Sequence, residues 1–274
     1  MNKSEVVNTA RTYYNSDDAE SFYSIIWGGE DIHIGLYNSE TDAIFDASRR
    51  TVEKIAACLK LDESKSVLDI GAGYGGSGRY MAEKFGCSVE CLNLSEAQNK
   101  RNRKLNNEQG LEKLVSVTDG SFENLPYKED FYDVVWSQDA ILHSGNRARV
   151  IQEAHRVMKP GGEFIFTDIM QSDDCPDGVL QPILDRIHLA TLGSPAFYRQ
   201  ETKKLGMEEV QFIDISEQLS NHYSHVLQEI KNRRDEIGKV CSNDYIERMM
   251  VGLEYWVNGG RKGYLKWGIF HFKK

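Results

Sequence analysis

One junction narrows the folds open to this chain. Residues 66–70, SVLDI, form a short apolar run rich in β-formers, and GAGYGGSG follows at once, before a helical period resumes. A buried strand that ends in clustered glycines and passes straight into a helix is the first half of a βαβ unit. The helix is predicted over 74–85, with Gly86 at its end. Residues 88–94, SVECLNL, then alternate as a second strand, and Ser95 is placed to cap a polar helix that runs through Gln109 and closes at Gly110. Further strands are predicted at 115–118 and 132–137 and a helix at 147–158, after which Lys159-Pro160-Gly161-Gly162 turns into a strand at 163–168. Such alternation specifies an α/β fold, a parallel sheet with helices on both faces.

The flanks read differently. Residues 1–60 read as helices, and YYNSDDAESFYSIIWGGEDIHIGLY interleaves aromatics with acids, more apolar surface than a loop needs. Residues 171–205 form an insertion that opens on QSDDCPDG. The region 217–274 shows a helix with Val226, Leu227, Ile230 and Ile237 on one face, a second helix near 243–257, and a closing strand, YLKWGIFHF.

Composition excludes several functions. At 274 residues and 40% hydrophobic the chain suffices for one large domain. It has no run of about 18 or more apolar residues, and MNKSEVVNTARTYY lacks the apolar core of a secretion signal. Cytoplasmic residence is therefore expected, with no membrane partner. A net charge of -9 argues against nucleic acid, because duplex binding needs a basic face to replace counterions. The five cysteines (58, 87, 91, 175 and 241) make no CxxC pair and read as small buried apolar residues; with no cluster of His and Cys ligands, no metal is expected.

Gly71, Gly73 and Gly76 satisfy the dinucleotide pattern GxGxxG, but Asp69 sits two residues before the first of them. A carboxylate there repels a pyrophosphate and attracts the α-ammonium of a methionine moiety. Gly71, Gly73 and Gly75 let the backbone approach such a ligand. Other strand ends offer matching groups: Asn93 for two ribose hydroxyls, Leu94 for one face of an adenine, and Asp119 with Gly120, Ser121 and Phe122 for its exocyclic amine and ring. The fourth strand delivers SQDAILHS, residues 137–144, with Ser137 and Gln138 beside the methionine end and Asp139 and His143 toward an acceptor. Ligands of open α/β sheets bind outside the carboxyl ends of the strands, where all four clusters lie.

The series VLDIGAGYGG, CLNLS, TDGSFENLPY, YDVVWSQDAILH and HRVMKPGGEFIFTD resembles the ordered motifs of class I S-adenosylmethionine-dependent methyltransferases across 66–170. That resemblance implies a Rossmann-like, mostly parallel seven-stranded sheet with added N-terminal, inserted and C-terminal helices. It also implies S-adenosylmethionine as cofactor, S-adenosylhomocysteine as product, and Gln98 as a further cofactor-binding residue. One domain is expected over 1–274: a helical lid at 1–60, the cofactor core at 61–170, and the substrate side at 171–274. Asn93 departs from the acidic residue most such enzymes carry, and resembles the branch that methylates small amines and prenyl lipids.

SQDAILHS, the aromatic N-terminal segment and the closing KWGIF resemble phosphoethanolamine N-methyltransferases. The tyrosine–histidine lid pair of that family carries over to His143 and Tyr14, with Tyr13 as the other register. Their phosphate clamp has no match in LQPILDRIHLATLGSPAFYRQ, which resembles the corresponding segment of betaine-forming sarcosine/dimethylglycine N-methyltransferases, a likeness extending over nearly the whole chain. The expected partner is thus a small-molecule amine carrying a carboxylate. Aliphatic ammonium groups titrate near ~10.4, so a base must take a proton before the nitrogen can attack. His143 is the expected base, with Asp139 orienting it or holding the substrate. Tyr14, Tyr23, Trp27 and Tyr37 are available to face a methylated nitrogen, and Arg199, then Arg186, to grip the carboxylate. Each has a plainer alternative: Tyr23 and Trp27 sit at helical spacing suited to a core, Arg199 suits a solvated helix face, and His143 a buried structural histidine. Rival functions are methylation of another acceptor (a phosphobase, a lipid or prenyl carbon, a phenol), nucleotide-dependent dehydrogenation, and ligand binding without catalysis.

Overall fold

The computed structural model describes residues 17–274. Helices α1 (Asp17–Trp27) and α2 (Ile44–Ala56) precede β1 (Ser66–Ile70), α3 (Gly76–Phe85), β2 (Ser88–Asn93), α4 (Glu96–Glu108), β3 (Val115–Asp119) and β4 (Tyr132–Gln138). A 3-10 turn at Ile141–His143 leads into α5 (Arg147–Val157) and β5 (Met158–Gln171). The chain then forms α6 (Gln181–Arg186), α7 (Pro195–Lys204), β6 (Glu208–Asp214), α8 (Glu217–Asn232), α9 (Arg234–Ile237), α10 (Asn243–Arg261) and β7 (Leu265–Lys273).

The mostly parallel seven-stranded sheet runs β3-β2-β1-β4-β5-β7-β6. Strands β1 to β5 are parallel, and β7 runs antiparallel between β5 and β6. Neighbouring strand residues point to opposite faces, and both faces are covered, which is why SVLDI and YDVVW are apolar without alternating. On one face α2 and α3 pack Val52, Ile55 and Met81 against Val67, Val134 and Trp136. On the other, α5 packs Val150, Ile151 and Ala154 against Leu68, Val135 and Phe164. A third cluster joins Phe22, Ile26 and Trp27 of α1 to Val226, Ile230, Ile237, Ile246 and Met249 of the C-terminal helices. Among the described residues no helix is long and apolar enough to cross a membrane.

Several local expectations are revised. Helix α3 starts at Gly76, two residues late, because Gly75 is left-handed at φ 77°. The expected turn at 159–162 lies inside β5: Gly161 N–H donates to Lys274 O and Lys274 N–H to Gly162 O, each at 2.9 Å, so the last residue holds the turn in the sheet. Ile237 is not on the helix of Val226 and Ile230 but on α9, though all three are fully buried. Residues 28–43 are largely irregular rather than helical, and β6 completes the expected seven strands at a position that no local pattern marked. Cys87, Cys91 and Cys241 are buried, but Cys58 and Cys175 are only half-buried.

Candidate active site

Strand order reverses between β2-β1 and β4, and there, at the carboxyl ends, a cleft opens. Asp69, Gly71, Gly73, Asn93, Leu94, Gln98, Gly120, Ser121, Phe122, Gln138, Asp139 and His143 line it, with Tyr23 of α1. So do Glu30, Asp31, Ile32 and His33, which sequence reasoning did not single out. Their signal was the unexplained apolar surface in GGEDIHIGLY.

The glycine loop is clamped from both sides. Gly71 has φ 82°, and its N–H donates to Leu92 O at 2.8 Å. Arg79, almost fully buried, joins the loop to its surroundings: Nη1 donates to Asn102 Oδ1 and Asn106 Oδ1 at 2.8 Å, Nε to Glu30 Oε2 at 2.7 Å, and Nη2 to Tyr74 O. Removing one partner of a buried pair strands the others. Arg79→Met is therefore expected to cost ~3 kcal/mol, the low end for such pairs because Glu30 keeps some water. Thermal melting is expected to show it as a Tm lower by roughly 6–12 °C.

Further along the sheet edge, Asn93 Nδ2 donates to Gln98 Oε1 at 2.9 Å, which leaves its Oδ1 to accept from a ribose hydroxyl. Asp119 does not line the cleft; Asn99 and Arg103 hold its carboxylate in place. Ser137 is likewise turned away, donating to Ile70 O at 2.8 Å, and Gly75 shapes the start of α3. Gln138 Oε1 accepts from Ser77 and, at 3.1 Å, from Trp136 Nε1, while its buried Nε2 has no hydrogen-bond partner among the described residues. A buried amide donor on the cleft wall, beside Asp69, fits the carboxylate and ammonium of an amino-acid cofactor.

Residues 30–37 form a strap that lines the cleft with Glu30 to His33, and its backbone over 33–37 is held mostly by side chains. Thr51 Oγ1 donates to Ile34 O at 2.8 Å, Ser48 Oγ and Trp27 Nε1 both donate to His33 O at 3.1 Å, and Arg50 Nε donates to Leu36 O at 2.8 Å. Gly35 N–H donates to His222 Nδ1 at 3.2 Å and Tyr37 N–H to Gln218 Oε1 at 2.9 Å. Asp139 ties the strap to the sheet: Oδ2 accepts from Ile34 N–H at 2.9 Å and Oδ1 from Trp267 Nε1 at 2.7 Å. Its backbone is left-handed at φ 48°, a conformation Asp tolerates better than most residues. Burial raises the Asp139 pKa, and burial pushes Asp69 up to about 7, with Asp31 adding to the shift and His33 opposing it.

His143 ends the 3-10 turn, which Leu142 N–H fixes by donating to Asp168 Oδ1 at 2.9 Å. Burial, reinforced by the Arg147 guanidinium, lowers the His143 pKa to about 4. The ring is therefore neutral at neutral pH.

Four expected substrate contacts lie elsewhere, and Tyr14, with Tyr13, is outside the described residues. Trp27 packs in the α1 cluster and serves the strap through its indole N–H. The Tyr37 hydroxyl lies 2.9 Å from His222 Nδ1, and its ring stacks on His225. Arg199 forms a two-pronged pair with Glu209 of β6, at 2.8 and 3.1 Å, and lies over the Phe212 and Phe270 rings. Arg186 packs against Gly252 and Met249. The Arg199 charge is paired with Glu209, Arg186 is packed against α10, and no residue of 171–274 lines the cleft.

The profile of the methyltransferase domain family matches residues 68–166. The sarcosine/dimethylglycine N-methyltransferase of Halorhodospira halochloris is 58% identical across 98% of this chain and 97% of its own. The enzyme of the same name from Aphanothece halophytica is 54% identical over the full length of both. A Galdieria sulphuraria crystal structure assigned to the sarcosine dimethylglycine methyltransferases superposes with a TM-score of 0.91 at 44% identity, covering 96% of this chain and 98% of that one. A cleft at the switch point with a glycine loop, an acid behind it and an Asp–His strand end, together with likeness of this extent, means that the chain belongs to the sarcosine/dimethylglycine N-methyltransferase family.

Proposed function

We propose that this chain methylates the nitrogen of sarcosine and dimethylglycine with S-adenosylmethionine, forming glycine betaine. The observation that carries the reading is identity of 54% sustained from end to end with an enzyme of that name, so the likeness takes in the strap as well as the cofactor core. S-adenosylmethionine supplies a methyl carbon made electrophilic by its sulfonium. Asp69 and Gln138 would hold the methionine end, Asn93 the ribose, and Leu94 with Phe122 the adenine.

Residues 1–60 would act as the lid, with Tyr14 facing His143 and Tyr23 offering a ring to the methylated nitrogen. The region 171–274 supports them indirectly, through His222 and Trp267, rather than by lining the substrate site. The acceptor amine would stand between Asp139 and His143. A neutral imidazole there accepts a hydrogen bond from the amine without placing positive charge beside a sulfonium. With a pKa near 4 the ring is a poor store for a proton, so His143 is better cast as an orienting acceptor than as the final base.

Assay of the purified protein with sarcosine, dimethylglycine, glycine and phosphoethanolamine, read by mass spectrometry, tests the reading. Dimethylglycine is expected to exceed phosphoethanolamine in kcat/KM by roughly 100-fold or more, because a site built for one polar group rejects a ligand lacking it. Dimethylglycine turned over no faster than phosphoethanolamine would refute it.

A further inference from the structure

We propose that His33, on the strap, is the base that takes the proton from the bound substrate ammonium, through Nε2. The inference rests on the amine-methylating function above. A methyltransferase that binds its amine as ammonium needs a proton acceptor in the cleft, and among the described residues His143 and His33 are the two imidazoles that line it.

The geometry separates the two. His33 Nδ1 lies 3.2 Å from Ile34 O; a carbonyl only accepts, so Nδ1 carries the hydrogen and the lone pair of the neutral ring sits on Nε2. That Nε2 is buried and has no hydrogen-bond partner among the described residues; the nearest carboxylate oxygen, Asp31 Oδ1, stands 3.9 Å away. The strap backbone on the carboxyl side of the ring is pinned at His33 O by Ser48 and at Ile34 by Thr51 and Asp139, which holds the ring where it is.

The surroundings favour a proton there. Asp31 on the strap itself, Asp69 at the end of β1 and Asp139 after β4 all face His33, against His222 from α8. Arg49 of α2 holds Asp31 at 2.9 Å, and the Tyr23 phenol lines the same cleft. Burial pulls His33 down, but Asp31 and Asp139 outweigh it, and the pKa ends above 6.5. At His143 the neighbouring charge is Arg147, and it adds to burial. In the step itself the substrate N–H bond breaks, its electron pair stays on nitrogen as the nucleophile, and the proton bonds to His33 Nε2. The imidazolium then returns that proton to water through the cleft mouth after product leaves.

A protonated ring has no lone pair, so activity is lost as pH falls through the pKa of the base, and the position of that limb identifies it. Single-turnover rates with dimethylglycine are measured against pH, and the His33 ring is titrated by NMR in the S-adenosylhomocysteine complex. The acid limb is expected above 6.5, coincident with the His33 titration. His33→Asn is expected to keep its S-adenosylhomocysteine affinity, lose the limb that levels off at the His33 pKa, and turn over roughly 100-fold or more slowly at neutral pH. Its rate should then rise about tenfold per pH unit as free amine accumulates. His143→Asn is expected to keep the limb. A wild-type limb near 4, or one that survives in His33→Asn, overturns the proposal, and the first of these is read without any variant. Wild-type protein inert toward dimethylglycine would instead remove the function on which the proposal rests.

Discussion

Asp139→Asn is expected to lower kcat with dimethylglycine by roughly 100-fold or more while changing S-adenosylhomocysteine affinity by less than about tenfold. Both Asp139 oxygens accept, one from Ile34 N–H at 2.9 Å and one from Trp267 Nε1 at 2.7 Å. An amide has one oxygen, so either the strap or the indole would meet an NH2 group and keep an unsatisfied donor, costing ~1–3 kcal/mol. Losing the charge also removes one of the carboxylates that raise the His33 pKa. The substitution isolates these effects because Asn, like Asp, accepts the left-handed backbone at φ 48°. Kinetics with calorimetric titration of S-adenosylhomocysteine would check the split, and hydrogen exchange at Ile34 would report the strap directly, with faster exchange expected in the variant. Unchanged kcat would mean that neither the strap anchor nor the charge serves turnover.

The parts of the molecule legible in the sequence are those whose structure is local. Strand β1, the glycine loop and β2 announce themselves because a short apolar run, a break and a capped helix leave few alternatives, and the residues at those strand ends follow from the fold. The strap is illegible for the opposite reason. Its backbone groups are satisfied by Ser48, Thr51, Asp139, Gln218 and His222, up to 187 positions away, and no local period marks a segment held that way. Strand β6 hides similarly: Glu208, Glu209 and Asp214 make it look like solvated loop, since it is an edge strand whose pairing comes only from β7. The arginines mislead because residue chemistry alone says what Arg199 can grip, whereas the sheet decides that it grips Glu209.

The same contrast between local conformation and long-range contact can be measured at the glycine loop. A Cβ on Gly71 would lie 2.4 Å from the Ala140 Cβ, next to Asp139, at a backbone φ of 82°. Gly71→Ala thus carries two separable penalties. The left-handed backbone costs an ordinary residue ~1–2 kcal/mol whatever the space around it, and overpacking against the turn after β4 costs about 1–3 kcal/mol. Together they are expected to lower Tm by roughly 5–15 °C and weaken S-adenosylhomocysteine binding by about tenfold or more, since the displaced turn carries Asp139 and Ala140 of the cleft wall. Ala140→Gly alone should cost under ~1 kcal/mol. Combined with Gly71→Ala it removes the clash and leaves the backbone penalty, so the double variant should melt above the Gly71→Ala single variant, recovering about half the loss. Additive losses would show that backbone conformation alone demands glycine here. Rescue would show that the cofactor loop and the strand end bearing Asp139 share one close-packed contact, so that a change on either side reaches both ligands at once.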